Sequence, residues 1–205
     1  AASAARSVLE TGEFDYAWNL QIDPTILADM ESNGIGTVAT AYGTSVERLH
    51  LNQTNPDAGL GDMRSTVEGG PHPFLTDRAV GQAMSMAIDR ALLVEIGYGA
   101  GGQPTCNVLP APAAYASTAN DGCLVQDLAG AAAVLEAAGW VDEDGDGVRE
   151  RDGVRLSVLY QTSTNAVRQD TQALVKQWWE EIGIEVELRN IDASVFFGGD
   201  PSSPD

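Results

Sequence analysis

Asp142, Asp144 and Asp146 alternate in the stretch VDEDGDGVRERDG, and Gly147, Val148 and Glu150 follow them. Calcium is a hard cation that takes about six to eight oxygen ligands. A loop can supply them from positions 1, 3 and 5, a backbone carbonyl at 7 and a ligand at 9, with a glycine at 6 for the sharp turn. Asp142, Asp144, Asp146, the Val148 carbonyl and Glu150 fit that order, and Asp152 is a substitute ligand because the place of the bidentate Glu is taken by Gly153. The flanks are wrong for a helix–loop–helix calcium hand, since a helix should stop at Gly139 and a strand should begin near Val154. The expectation is therefore a weak calcium loop at extracellular concentrations, set against a plain helix-to-strand turn made of Asp-Gly pairs.

Other chemistry is scarce. His50 and His72 are the only histidines, and neither has ligand spacing to the two cysteines. GYGAGG, with Gly97, Gly99 and Gly102, matches the dinucleotide fingerprint in letters only. That loop must leave a strand and open a helix so that N–H groups meet a pyrophosphate, whereas this one leaves a helix and runs into a proline-rich stretch. Neither a GK[ST] phosphate loop nor a GxSxG elbow is present. Paired carboxylates carry no information in so acidic a chain. The residues hold no catalytic constellation, so no enzyme activity and no required cofactor are expected; calcium is the one candidate ion.

Thirty acidic against eleven basic residues give a formal charge of −19. Such a field repels phosphate backbones and anionic lipid headgroups, which argues against nucleic-acid partners. No run approaches the ~20 apolar residues of a membrane span. Cys106 and Cys123 bracket the irregular stretch CNVLPAPAAYASTANDGC and read as a disulfide, which points to an oxidising compartment.

The elements that must position these residues are helices and strands in alternation. Val167, Thr171, Leu174, Trp178 and Ile182 recur at helical steps, and Gly183 supplies a C′ residue. The period then becomes two at Ile184, Val186 and Leu188, as it is upstream at Val154, Leu156, Val158 and Tyr160. Residues 154–190 thus read strand–helix–strand. Trp178 and Trp179 point about a hundred degrees apart, so at least one belongs to the core. A long helix is expected from TDRAVGQAMSMAIDRALLVEIG with Thr76 as cap, another after Asp127, and a third over Pro24–Asn33 after an Asp23 cap. FDYAWN, GTVAT and VERLHLN are short strand candidates. The fold class is α/β with a mixed β-sheet flanked by helices, in one unit spanning 1–205. Two long loops, 52–73 and 97–123, interrupt it, and loops of that length are commonly functional.

In this order the pieces resemble the extracytoplasmic solute-binding proteins of peptide-type ABC transporters, family 5. TGEFDYAWNL resembles the opening of a second-lobe strand. LHLNQ and then HPFLTDRAVGQAMSMAIDR resemble the family's most recognisable stretch, carried by Asn52, Pro73, Phe74, Asp77, Arg78, Val80, Ala83, Ala87, Asp89 and Arg90. DLAGAAAVLEAAGW, the Asp-Gly turn, LSVLY and VKQWWEEIGIEVEL follow in the family's order. Gly81 departs from a usual arginine, and 54–71 is a long insertion.

The resemblance implies one lobe, the second, of a periplasmic-binding-protein-like type II fold, and a chain that corresponds to the middle of a longer receptor. It implies a substrate-binding component that captures peptides or a related solute between two lobes for ABC permease subunits. Such a protein is periplasmic or extracellular, with lipid anchoring of the full-length form an open alternative, and is expected to be a monomer. Solutes in open α/β folds sit beyond the carboxyl ends of strands. That nominates Trp18, Asn19 and Gln21 after DYAW, and Gln161, Thr162, Ser163 and Asn165 after VLY. Helix capping is the competing role for the last two. Binding energy would come from hinge closure of both lobes, so one lobe alone should bind weakly. The alternative from a different class is a calcium-dependent extracellular interaction module using the 142–152 acidic loop.

Overall fold

A computed structural model describes residues 2–18 and 23–198. In chain order the helices are α1 (Ala2–Glu10), α2 (Pro24–Ser32), α3 (Arg78–Met86), α4 (Arg90–Gly97), α5 (Leu128–Ala137), α6 (Ala166–Glu181) and α7 (Ala193–Phe196). The strands are β1 (Glu150–Arg151), β2 (Val154–Arg155), β3 (Ser157–Ser163) and β4 (Glu185–Ile191). The chain forms two compact units interleaved along the sequence: Ala1–Val46, Asp89–Leu124 and Ala166–Thr171 in the first, and Glu47–Ile88, Val125–Asn165 and Gln172–Asp205 in the second.

The first unit is helical. Asp23 accepts the Thr25 N–H at 2.8 Å and Pro24 opens α2, the arrangement its residues call for. Arg6 of α1 pairs with Asp29 of α2 at 3.2 Å. Gly99 has φ +50°, and a Cβ there would lie 2.6 Å from the Pro24 side chain, so glycine is required by both conformation and space. Cys106 and Cys123 are joined, with their Cα atoms 6.1 Å apart. Asn107 exchanges hydrogen bonds with the Ser117 backbone inside the ring, and Arg90 donates to the Cys123 carbonyl at 2.7 Å.

The second unit holds the larger core. Val80, Ala83, Met84 and Ala87 from the α3 segment are buried, as are Ala131 and Leu135 of α5, Leu156, Ile184 and Val186 of the strand regions, and Val175, Trp178 and Trp179 of α6. Both tryptophans are core residues, and the Trp179 indole N–H donates to the Met84 carbonyl at 3.0 Å. Strands β3 and β4 pair in parallel from Ser157↔Glu185 to Ser163↔Ile191, with α6 as the crossover. β1 and β2 form a separate antiparallel hairpin, so the parallel and antiparallel pairings lie in two small sheets.

Several expectations are corrected. The long helix is two helices, broken at Ala87–Asp89, where the Asp89 carboxylate accepts the Leu92 N–H and restarts the chain as α4. Its cap is Asp77; the Thr76 hydroxyl donates back to the His72 carbonyl instead. The strand expected from Val154 is split at Leu156, and β3 runs through Ser163 because β4 continues to pair with it. Residues 14–18, 36–40 and 46–52 form no strand, since none finds a ladder partner among the described residues; Asn19 of FDYAWN lies outside them.

Candidate functional site

The carboxyl ends of β3 and β4 lie side by side, with Gln161 opposite Arg189, Thr162 opposite Asn190 and Ser163 opposite Ile191. Of the residues expected there, Thr162 and Ser163 are buried, while Gln161 and Asn165 are half-buried. All four fall in the second unit. Trp18, in the first unit, is 80% exposed, an unusual state for so large an apolar ring. Asn19 and Gln21 lie outside the described residues.

Two polar residues at the strand ends escaped the sequence reading. Gln172 is 1% exposed on α6, and its Nε2 donates to the Tyr160 carbonyl at 2.8 Å and to that of Arg189 at 3.4 Å. Its Oε1 accepts from Nδ2 of Asn190 at 2.6 Å. Gln172 therefore clamps the two strands from behind, and Asn190 stands exposed in front of it. The signal available was β4 itself: Asn190 ends the alternating run IEVELRN, and it becomes a partner of Thr162 only once the parallel register is known.

A second polar cluster fixes the start of α3. One Asp77 oxygen accepts the Ala79 N–H at 2.9 Å; the other accepts the Trp140 indole N–H at 3.1 Å and pairs with Arg151 at 2.9 Å. Arg151 also stacks on the Trp140 ring, 4.2 Å from its centroid, and donates to the Ala138 carbonyl. Burial pushes the Asp77 carboxyl up, but these hydrogen bonds and the Arg151 charge outweigh it and hold the group below the ordinary carboxylate range. Beside it, buried His72 accepts at Nδ1 from the Phe74 and Leu75 N–H groups at 3.3 and 3.1 Å, and burial lowers its pKa. An open depression of about 500 Å³ at this end of α3, lined by Gln53, Thr76, Arg78 and Gln82 among others, contains none of the residues nominated for solute binding.

The acidic loop brings three of its six nominated residues together: carboxylate oxygens of Asp142, Asp144 and Asp146 lie within 4.8 Å of one another. The loop folds on its own carboxylates. Asp142 accepts from the Gly145 and Gly147 N–H groups at 2.8 and 2.9 Å, Asp144 from Asp146, and Asp146 from Val148. That last bond, with Arg155 after it, lowers the Asp146 pKa. Glu150 lies outside the group; its Oε1 accepts the Glu143 N–H at 2.8 Å, and its Oε2 is buried with no hydrogen-bond partner. Asp152 sits in the hairpin turn between β1 and β2, where Asp152 and Gly153 have φ of +54° and +77°, the left-handed pair that Asp-Gly accommodates. Arg149 anchors the loop by donating to the Ile182 and Trp140 carbonyls at the ends of α6 and α5 and to Glu136.

Residues 1–202 match the model of the bacterial extracellular solute-binding proteins, family 5, middle portion. The chain belongs to that family. Its members are solute-binding proteins, not enzymes. Protein XP55 of Streptomyces lividans is 34% identical over 128 residues, covering 62% of this chain and 23% of that protein. The oligopeptide-binding protein AppA of Bacillus subtilis is 37% identical over 62 residues, covering 30% of this chain and 11% of that protein. The chain thus spans under a quarter of the curated relatives it matches. A periplasmic oligopeptide-binding protein structure from Thermotoga maritima superposes with a TM-score of 0.68 over 96% of this chain and 35% of that one, at 18% identity. The likeness shows the fold: α/β, of the periplasmic-binding-protein type II class, with small sheets flanked by helices. Among the described residues no helix is long and apolar enough to cross a membrane.

Proposed function

We propose that this chain is the solute-contacting middle of a receptor that captures a peptide, or a related solute, and delivers it to an ABC permease outside the cytoplasmic membrane. The observation that carries the reading is the pair of parallel strands whose carboxyl ends bring Gln161, Thr162, Ser163 and Asn190 side by side, in a chain of the solute-binding family. Solutes in open α/β folds bind at that end. Of the four residues nominated after β3, Gln161 and Asn165 have exposed surface, and Thr162 and Ser163 are buried. Trp18, Asn19 and Gln21 are kept as proposed solute contacts on the sequence alone. The oligopeptide-binding relatives favour a peptide, and a monomeric state is assigned by the same family reasoning. Equilibrium titration with a peptide pool tests this: Gln161→Ala, together with Asn165→Ser to keep a capping side chain before α6, should weaken binding several-fold. Unchanged affinity removes the assignment.

A second reading concerns the acidic loop. Gly147 N–H reaches back to Asp142 and three carboxylates converge, so calcium would find a preformed set of oxygens. The buried, unpartnered Glu150 Oε2 supports it, because the ninth position of such loops often reaches its cation through a water. In this reading calcium braces the ends of α5 and α6 through Arg149, within a transport receptor; family membership favours that over a self-standing interaction module.

A further inference from the structure

The buried amide of Gln172 has a fixed orientation. Its Nε2 end faces two backbone carbonyls, those of Tyr160 and Arg189, and only an N–H group can face a carbonyl. Its Oε1 end therefore faces Asn190, which must turn its own NH2 group inward to donate. This holds the Asn190 nitrogen, with its second amide proton, on the Gln172 side and leaves Oδ1 as the acceptor at the exposed tip of β4, directly across from Thr162. A freely rotating asparagine would offer a solute either end of its amide. This one has a fixed orientation. Two residues on, the exposed Asp192 carboxylate, already accepting from Ser194, adds acceptor character to the same edge.

We propose that Gln172 is a positioning residue that locks the Asn190 amide with its nitrogen inward and Oδ1 outward as a hydrogen-bond acceptor, so that this contact takes an N–H donor of the solute, as a peptide backbone presents. This rests on the strand-tip reading above and adds to it the polarity of one contact and the residue that sets that polarity. Both residues follow from the register of β3 and β4 and from the contacts of one buried side chain.

The test uses the 15N-labelled chain, with penta-alanine as donor-rich probe and the same peptide methylated at every backbone nitrogen as the donor-free probe. In the wild-type chain the two Asn190 side-chain amide protons should exchange slowly, and penta-alanine should shift them. Asn190→Ala, at an exposed site that preserves the fold, should bind penta-alanine about five- to tenfold more weakly, the worth of one hydrogen bond. Gln172→Met should free the Asn190 amide and reduce the preference for penta-alanine over its methylated form, a ratio that a purely structural role of Gln172 would not move. Should that variant fail to fold, the wild-type exchange rate and Asn190→Ala decide. Fast exchange of the Asn190 amide in the wild-type chain, or unchanged penta-alanine affinity in Asn190→Ala, overturns this inference and leaves the receptor reading standing. A locked amide in a chain that does not bind penta-alanine overturns the peptide reading itself, and this inference with it.

Discussion

Asp77→Ala is the perturbation whose cost can be worked most completely from the contacts. The carboxylate caps α3 through Ala79, and loss of a cap costs about 1 kcal/mol. It is also the partner of the Trp140 indole N–H in a side chain that is 1% exposed. A buried donor left unmet costs about 1–3 kcal/mol. The ion pair with Arg151 adds less than about 1 kcal/mol, because the guanidinium is 35% exposed and keeps its stacking on Trp140 and its bond to Ala138. The expected loss is about 2–4 kcal/mol. Asp77→Asn has one acceptor oxygen in place of two, so it can keep the α3 cap but then turns an NH2 group toward the Trp140 N–H, and it should lose about 1–3 kcal/mol. Urea unfolding followed by tryptophan fluorescence measures both, since Trp140, Trp178 and Trp179 all belong to the second unit. The folded-state pKa of Asp77 lies below its ordinary value of 3.8, so its charge contributes stability above that value that is lost as pH falls through the folded pKa. The advantage of wild type over Asp77→Asn should shrink in that acidic window. An Asp77→Ala variant within about 0.5 kcal/mol of wild type would refute the reasoning.

His72 is held neutral by burial while its Nδ1 accepts two backbone N–H groups, so the unfolded chain binds the proton more readily. Stability should therefore fall as pH drops below the ordinary histidine value of 6.5, and urea midpoints across that range should show a shallower decline in His72→Gln. Millimolar calcium should raise the melting temperature of the wild-type chain, and Asp144→Asn should abolish the rise; a chain indifferent to calcium would leave the loop as a self-capped turn. The double variant Cys106→Ser, Cys123→Ser should lose about 3 kcal/mol from the first unit, read by hydrogen exchange in α4, and the wild-type chain should show no free thiol by alkylation.

Elements with local signals were legible in the sequence. The Asp caps at Asp23 and Asp127, the glycine stop at Gly183 and the alternation in β3 and β4 each follow from neighbouring residues, and each is found. What depends on distant partners was not legible. The period-two segments FDYAWN and GTVAT carry the pattern of strands, but a strand exists only with a ladder partner. The buried stripe of α6 keeps Trp178 and Ile182 of the expected face and adds Gln172, Val175 and Trp179, the polar Gln172 being satisfied by carbonyls of two strands. At the candidate site the same limit applies. Gln161 and Asn165 could be named from their place after an apolar strand, whereas Asn190 and Gln172 needed the register, and only the hairpin shows that Asp152 sits in its turn, outside the three converging carboxylates.

Hydrogen-exchange footprinting of the chain with and without a peptide pool tests the central claim most directly, namely that the solute meets the carboxyl ends of β3 and β4. The account predicts new protection over 160–165 and 188–192. Protection confined to the depression at the start of α3, or to the acidic loop at 141–153, would contradict it.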